Sequence, residues 1–169
     1  IDVTDTIKLP ENLRIQLFHT GKKALKGGSE QKIFNRKVKC YNIGLNIIDK
    51  QKLEDVTEDE LKDITVINVK NVLLYGIREM RRASEFSNYL KEGNLEKIGK
   101  LVRESQQDEQ ILYGCSCEEA DKIVDLANSV DGVLGAQIAG AGLGGCVMVF
   151  DNNKSDVATV LRNQGFKLI

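Results

Sequence analysis

The chain is expected to fold as an α+β domain, a split β-α-β unit whose first crossover is enlarged by a long helical insertion. Three features of the sequence lead there. Leu13-Arg14-Ile15-Gln16-Leu17-Phe18 near the start, and the apolar runs 133–138 and 146–150 near the end, have the composition and patterning of strands. Between them, apolar residues recur every three or four positions, which is the period of helices. Finally, Gly140-Ala141-Gly142-Leu143-Gly144-Gly145 joins the last two apolar runs as a turn between strands.

Taken in order, the first strand follows Pro10 and alternates apolar with polar residues before reaching Phe18, as a strand buried mainly on one face would. It ends near His19-Thr20-Gly21. A basic, glycine-containing loop runs to Gly27-Gly28. Phe34, Val38, Tyr41, Leu45 and Ile48 then form a helical stripe. Thr57 and Glu60 have the spacing of a capping box, opening a short helix that carries Leu61 and Ile64. The longest stripe places Ile67, Leu73 or Leu74, Ile77, Met80, Ala83, Phe86 and Leu90 on one side, with Arg78, Arg81, Arg82 and Glu85 largely elsewhere, and stops at Gly93. Asn94 caps a helix that buries Leu95, Ile98, Leu101 and Val102. Ser116-Cys117-Glu118-Glu119 reads as a second capping box, ahead of Ala120, Ile123, Val124 and Ala127, with Gly132 closing that helix. After the glycine turn, Val157, Val160 and Leu161 mark a last helix stopped at Gly165, and residues 166–169 a last strand. Strand, helical insertion, strand, turn, strand, helix, strand is the ferredoxin-like order.

At 169 residues with a single proline and no repeat, the sequence suits one domain, 1–169. Twenty-four basic and 25 acidic residues are interspersed, so no field of one sign argues for nucleic acid or an anionic membrane. No apolar run approaches the roughly 18 residues of a spanning helix, and Ile1-Asp2-Val3-Thr4-Asp5 lacks the features of a secretory leader, so a cytoplasmic protein is expected. The chain begins at Ile1 instead of Met, as expected of a processed product or a piece of something longer. One histidine and four cysteines leave a zinc site short of suitably spaced ligands, and Cys115-Ser116-Cys117 reads first as two reduced thiols at a helix entrance.

The glycine turn matches G-x-G-x-x-G on paper, but that fingerprint requires a helix after the glycines, and a β-branched apolar run follows here. Nicotinamide and flavin binding are therefore disfavoured. Two purposes remain open for the turn, and they are compatible. Glycines let another backbone come close, and successive bare N–H groups form a concave nest for phosphate oxygens.

Gly132-Val133-Leu134-Gly135-Ala136-Gln137-Ile138-Ala139-Gly140-Ala141-Gly142-Leu143-Gly144-Gly145-Cys146 is similar to the third signature motif of the GHMP kinases, ATP-dependent small-molecule kinases that include galactokinase, homoserine kinase and mevalonate kinase. The galactokinase branch is the nearest in pattern. The resemblance extends through residues 117–124 and 94–105, and to Leu9-Pro10-Glu11-Asn12-Leu13, Thr20-Gly21-Lys22-Lys23 and Ser29-Glu30, so it covers nearly the whole chain.

The resemblance implies a GHMP kinase C-terminal domain whose N-terminal ATP-binding domain, with the nucleotide loop, catalytic aspartate and most sugar contacts, lies outside this chain. No catalytic residue is then expected here. ATP and Mg would serve the full-length enzyme, with none expected on this piece alone, and the reaction implied is transfer of the ATP γ-phosphoryl group to a sugar hydroxyl, galactose before other sugars. Gly140, Ala141, Gly142, Leu143, Gly144 and Gly145 would line the phosphate and substrate cleft, with Gly142, Gly144 and Gly145 as the strongest choices. A Walker loop is absent, because Gly21-Lys22 is followed by Lys23 and Gly99-Lys100 by Leu101.

Lys23 stands near the place of a basic residue at the family's sugar site, although it reads first as an exposed loop lysine. The family's sugar-recognising tyrosine corresponds here to Gln31 or Phe34. Ala139 replaces a threonine, Gln106 replaces the histidine of a Ser-His pair, and His19 replaces an acidic residue. These departures keep open a kinase for arabinose, fucose or another sugar, and a non-catalytic sugar sensor derived from a kinase. A free-standing ferredoxin-like binding module is a third reading. His19 reads first as a strand-end histidine without a catalytic role. Lys22, Lys23, Lys26, Lys32, Arg36, Lys37 and Lys39 read first as a solvated basic face, and second as a draw for an anionic nucleotide.

Overall fold

The fold comes from a computed structural model that describes residues 6–24 and 27–169. Residues 1–5, Lys26 of the basic cluster and the Ser29 side chain lie outside what is described. Four antiparallel strands form the sheet: β1 (Arg14–His19), β2 (Val133–Ala139), β3 (Cys146–Asp151) and β4 (Lys167–Leu168), in the order β2-β3-β1-β4. That order is the one a ferredoxin-like split unit requires. Five α-helices accompany it: α1 (Ser29–Ile47), α2 (Ile67–Glu92), α3 (Leu95–Asp108), α4 (Glu118–Asn128) and α5 (Val157–Asn163).

Alternation along the strands divides the sheet into two faces. One carries Phe18, Ala136, Ile138, Val147 and Val149, packed against Ala120, Ile123, Val124 and Ala127 of α4 and Val157 and Leu161 of α5. Beyond this layer, at the end of β3, the buried carboxylate of Asp151 accepts from Arg14 Nε at 3.1 Å and Gln16 Nε2 at 2.9 Å. The other face carries Ile15, Leu17, Gln137, Met148 and Phe150. There α3 covers one end, where Ile98, Val102, Leu13 and Phe150 cluster and Phe86 of α2 meets Phe150 edge-on at 5.9 Å. A separate core holds the helical insertion together, built on Leu45, Leu53, Val56, Leu61, Ile64, Val69 and Leu73.

The strands, the Asn94 cap, which accepts from Lys97 N–H, and the left-handed stop at Gly93 are as the sequence leads one to expect. Thr57 and Glu60 do pair, with the Glu60 carboxylate accepting from the Thr57 N–H at 2.8 Å and hydroxyl at 2.9 Å, but the turn they open, Glu58–Asp63, is a 3-10 helix. Several side-chain assignments differ. Ile15 and Leu17 face the open side of the sheet and keep 37% and 38% of their surface, with Ile15 bordering a groove across from Glu79, Arg82 and Phe86 of α2. Val38 and Ile67 are exposed, as is Met80, while Arg82 is only 4% exposed. Arg82 goes inside because α3 supplies Asp108 at 2.8 Å and its own helix supplies Glu79 at 2.7 Å, so its charge is neutralised where it is desolvated. The second capping box does not form: Cys117 is the N-cap, and the Ser116 hydroxyl donates to Asp121. Helix α4 ends at Asn128, and Gly132 stands immediately before β2, its carbonyl accepting from Asn152 N–H at 2.9 Å.

Candidate functional site

The glycine turn crosses between β2 and β3 directly after the Ala139–Cys146 pair, and a strand follows it, so a dinucleotide-type helix start is excluded by the fold. What shapes the turn is contact with the rest of the chain. Gly142 has a φ of 85°, and a Cβ there would lie 2.0 Å from the Cys115 carbonyl oxygen and 3.1 Å from Glu109 Oε1. A Cβ on Gly144 would lie 3.0 Å from the Lys22 carbonyl and 3.2 Å from Ala24 N. The steric purpose of these two glycines is therefore met by this chain's own backbone, and no ligand is needed to explain them.

Two strands of contact tie the turn down. Leu143 N–H donates to Cys115 O at 2.7 Å, and Gly145 N–H donates to Lys22 O at 2.9 Å. Thr20, fully enclosed after the end of β1, holds the second tie: its N–H donates to Gly145 O at 2.9 Å, and its hydroxyl lies 2.9 Å from Gly145 O and 3.0 Å from Lys22 O. This positioning role was not assigned to Thr20 from the sequence. A buried threonine at the end of an alternating strand, next to Gly21, is the signal that was available.

Among the described residues, no backbone hydrogen bond uses the N–H of Gly140, Ala141, Gly142 or Gly144. Gly140 and Ala141 are exposed, whereas Gly142 and Gly144 are buried. The turn thus has an outer edge with unspent donors and an inner edge committed to packing.

Beneath the inner edge, helix α3 widens into a single π turn, Glu109–Tyr113, in which Gly114 N–H donates back to Glu109 O at 2.8 Å. The widened turn sets Glu109 inside the molecule, where Tyr75 of α2 donates to its Oε2. Burial raises the pKa of Glu109, with the nearby Glu79 charge adding to the effect and the Tyr75 hydrogen bond and Lys37 opposing it. The Tyr75 hydroxyl is pushed up as well, by burial first and by Glu109 second. Burial also raises the thiols: Cys115 to about 11, with Glu109 contributing, and Cys117 in the same direction. Both stay protonated and weakly nucleophilic near neutrality, in keeping with two reduced structural thiols.

The other predicted residues are distributed unevenly. Lys23 sits on the loop that touches Gly144, with its side chain exposed. Gln31 is exposed in the first turn of α1 and Phe34 half-buried just beyond it; neither is among the nearest neighbours of Gly142, Gly144 or Gly145. His19 Nδ1 accepts from Gly21 N–H at 2.9 Å, the strand-end arrangement. Lys32, Arg36, Lys37 and Lys39 all stand on α1. Lys32, Arg36 and Lys39 line a depression on α1, while Lys37 turns over the Tyr113 ring at 5.2 Å. Among the described residues, no three His, Cys, Asp or Glu side chains are placed to hold a metal ion, and no helix is long and apolar enough to cross a membrane.

Residues 87–165 match the family described as GHMP kinases C terminal. The galactokinase of Thermococcus kodakarensis is 34% identical over 139 residues, spanning 82% of this chain and 38% of the relative. That of Pyrococcus furiosus is 32% identical over 150 residues, spanning 88% and 41%. The chain therefore spans about two fifths of the length of the curated relatives it matches. Among solved structures, Lactococcus lactis galactokinase complexed with galactose superposes with a TM-score of 0.79 at 24% identity, over 92% of this chain and 41% of that one. The L. major mevalonate kinase in complex with R-mevalonate superposes at 0.60 and 20% identity, over 94% and 39%. At these identities the structural matches speak for the fold.

Proposed function

We propose that this chain, which carries a GHMP kinases C-terminal domain over residues 87–165, works as the C-terminal part of a longer cytoplasmic sugar kinase of the galactokinase kind, transferring the γ-phosphoryl group of ATP to a sugar hydroxyl, with galactose as the first candidate acceptor. The observation that carries the reading is the likeness to galactokinases at about one-third identity across four fifths of the chain. The family match over residues 87–165 takes in the glycine turn and Cys115, one of the two segments that brace it.

Within that reading the turn divides its labour. Gly140 and Ala141 offer N–H donors to an anionic oxygen at the exposed edge, an arrangement suited to phosphate without a cationic side chain. Gly142, Leu143, Gly144 and Gly145 hold that edge in place through Cys115 and Lys22. Lys22 and Lys23, on the bracing loop, add positive charge beside it. Bound ATP and Mg supply the transferable phosphoryl group and the charge that neutralises it. In this reading metal ligation belongs to the nucleotide phosphates and to the N-terminal kinase domain it requires as partner. Acid-base work falls to that domain too, since Glu109, the buried carboxylate nearest the turn, is held by Tyr75 on the packed side.

The test is ATP-dependent phosphorylation by the longer polypeptide against a panel of hexoses and pentoses. Turnover of galactose supports the reading, and turnover of arabinose or fucose alone moves the acceptor but keeps the kinase. Failure across the panel, with sugar still bound, would favour a sensor derived from a kinase, for which Ala139 in place of a hydroxyl-bearing residue is the supporting observation.

A further inference from the structure

Helix α1 is buried along one side only. Its inner side carries Gly44 and Leu45, and a Cβ on Gly44 would lie 2.6 Å from Leu73 Cδ1 and 3.0 Å from Val69 Cγ1, so α2 is packed directly against it there. On the outer side, Lys32, Arg36, Lys39, Ile43 and Ile47 follow one another at spacings of four, three, four and four, and all five are exposed. At about 3.6 residues per turn these positions fall within about 80° of one another, in a single stripe about 22 Å long. Its first half is basic and its second half apolar, with Ile43 and Ile47 keeping 49% and 48% of their surface. Among the described residues no ion pair involves Lys32, Arg36 or Lys39.

The stretch between α1 and α2 repeats this order with the sign reversed. Glu54, Asp55, Glu58, Asp59 and Asp63 are exposed on its two 3-10 turns, Leu53–Asp55 and Glu58–Asp63, and Val66 and Ile67 follow with 54% and 62% of their surface exposed. Glu58 is engaged by Arg78 and Asp59 by Lys62, whereas no ion pair among the described residues involves Glu54, Asp55 or Asp63. Three unpaired cations followed by two isoleucines thus match three unpaired carboxylates followed by a valine and an isoleucine. Within one copy the two sets form no ion pair.

From this match we propose that the chain associates with a second copy of itself through the helical insertion. The α1 stripe of one copy docks on residues 54–67 of the other, with Lys32, Arg36 and Lys39 set against Glu54, Asp55 and Asp63, and Ile43 and Ile47 against Val66 and Ile67. Removing the apolar side chains from water supplies the attraction, and the charges select the partner and its orientation. A polyanion fits the molecule less well. With a net charge of −1 the chain has no long-range pull toward an anionic bilayer or nucleic acid, and residues 54–63 would repel either one. Asn35, Asn42 and Asn46, exposed along one edge of the stripe, suit the hydrated rim of a protein interface and not the acyl layer of a membrane.

This inference does not rest on the kinase reading, and its test needs no turnover. Sedimentation equilibrium of the 169-residue chain should give a weight-average mass that rises with concentration. The association constant should fall about tenfold between about 50 mM and about 0.5 M NaCl, as exposed charges are screened. Ile43→Asp should weaken association by about tenfold or more. A charge swap then identifies the two surfaces. A copy carrying Lys32→Glu and Arg36→Glu, and a copy carrying Glu54→Lys and Asp55→Lys, should each stay monomeric alone and associate when mixed, because the mixture restores opposite signs at the contact. All four positions are exposed, and circular dichroism checks that each variant keeps its fold. The wild-type measurement needs no variant, so a poorly folded mutant does not rescue the idea. A wild-type chain that stays monomeric, a mixture no more associated than either variant alone, association that Ile43→Asp leaves intact, or binding to phosphatidylserine vesicles without self-association would overturn it.

Discussion

The two faces of the sheet are built from alternate residues of the same strands, and they have different fates. On one, Phe18, Val147 and Val149 meet α4 and α5 with nothing exposed. On the other, Ile15, Met148 and Phe150 border an open groove of about 450 Å³ that continues past Glu79, Ser105 and Gln137 into a smaller, more polar cavity lined by Tyr75, Gln106 and Glu109. The contrast teaches that apolar alternation marks a strand but does not say which face the core occupies. The sealed face holds the fold together, while the open face and the turn at its edge hold unspent donors, a carboxylate with one oxygen unpartnered and accessible apolar surface.

The largest expected effect lies at the turn, where the two faces meet. Gly142→Val would drive a side chain into the Cys115 carbonyl, so in the longer kinase kcat/KM should fall by about 100-fold or more, as displacements near 1 Å do. Gly140→Ala meets nothing within 4 Å and should cost only about 1 kcal/mol, the penalty of its positive φ. Steady-state kinetics and urea melts of both variants separate a packed inner edge from an open outer one. Equal effects would erase the distinction.

Next come the faces themselves. Ile123→Ala on the sealed side removes a fully buried side chain and should cost about 2–5 kcal/mol in urea unfolding, whereas Ile15→Ala on the open side should cost under about 1 kcal/mol. A large cost at Ile15 would mean that its face is covered in solution.

The smallest effect is electrostatic. Because burial raises the Glu109 pKa, the folded chain holds a proton there that the unfolded chain has already lost above the ordinary value of 4.5. Its contribution to stability is therefore greatest below that pH, declines as pH rises toward the raised value, and is level beyond it. Glu109→Gln should flatten this slope in the difference between the two pH–stability curves. An unchanged slope would mean that the carboxylate is better solvated than its surroundings suggest.

Local signals were legible where chemistry is local. Gly93 with its left-handed φ, Asn94 as a cap, the pairing of Thr57 with Glu60 and the strand after Gly145 all depend on a few consecutive residues. Lys23 was legible as an exposed loop residue for the same reason, while its place beside the turn depended on the folded chain. Ser116-Cys117-Glu118-Glu119 failed as a capping box because Asp121 offered the Ser116 hydroxyl a nearer partner. Arg82 was placed outside because its two acidic neighbours stand three residues away along α2 and on another helix.

By itself the sequence determined the strands, the helices, the turn that is not a dinucleotide loop and the family likeness, since periodicity, caps and glycine spacing act over a turn or two of chain. Only the tertiary structure decided which face of the sheet is sealed, that Thr20 and Cys115 brace the turn, and that Glu109 Oε1 and Gln106 Nε2 are buried behind it without a partner. Those outcomes depend on contacts between segments from about 30 to 125 residues apart, where burial turns an ordinary carboxyl or amide into an exceptional one.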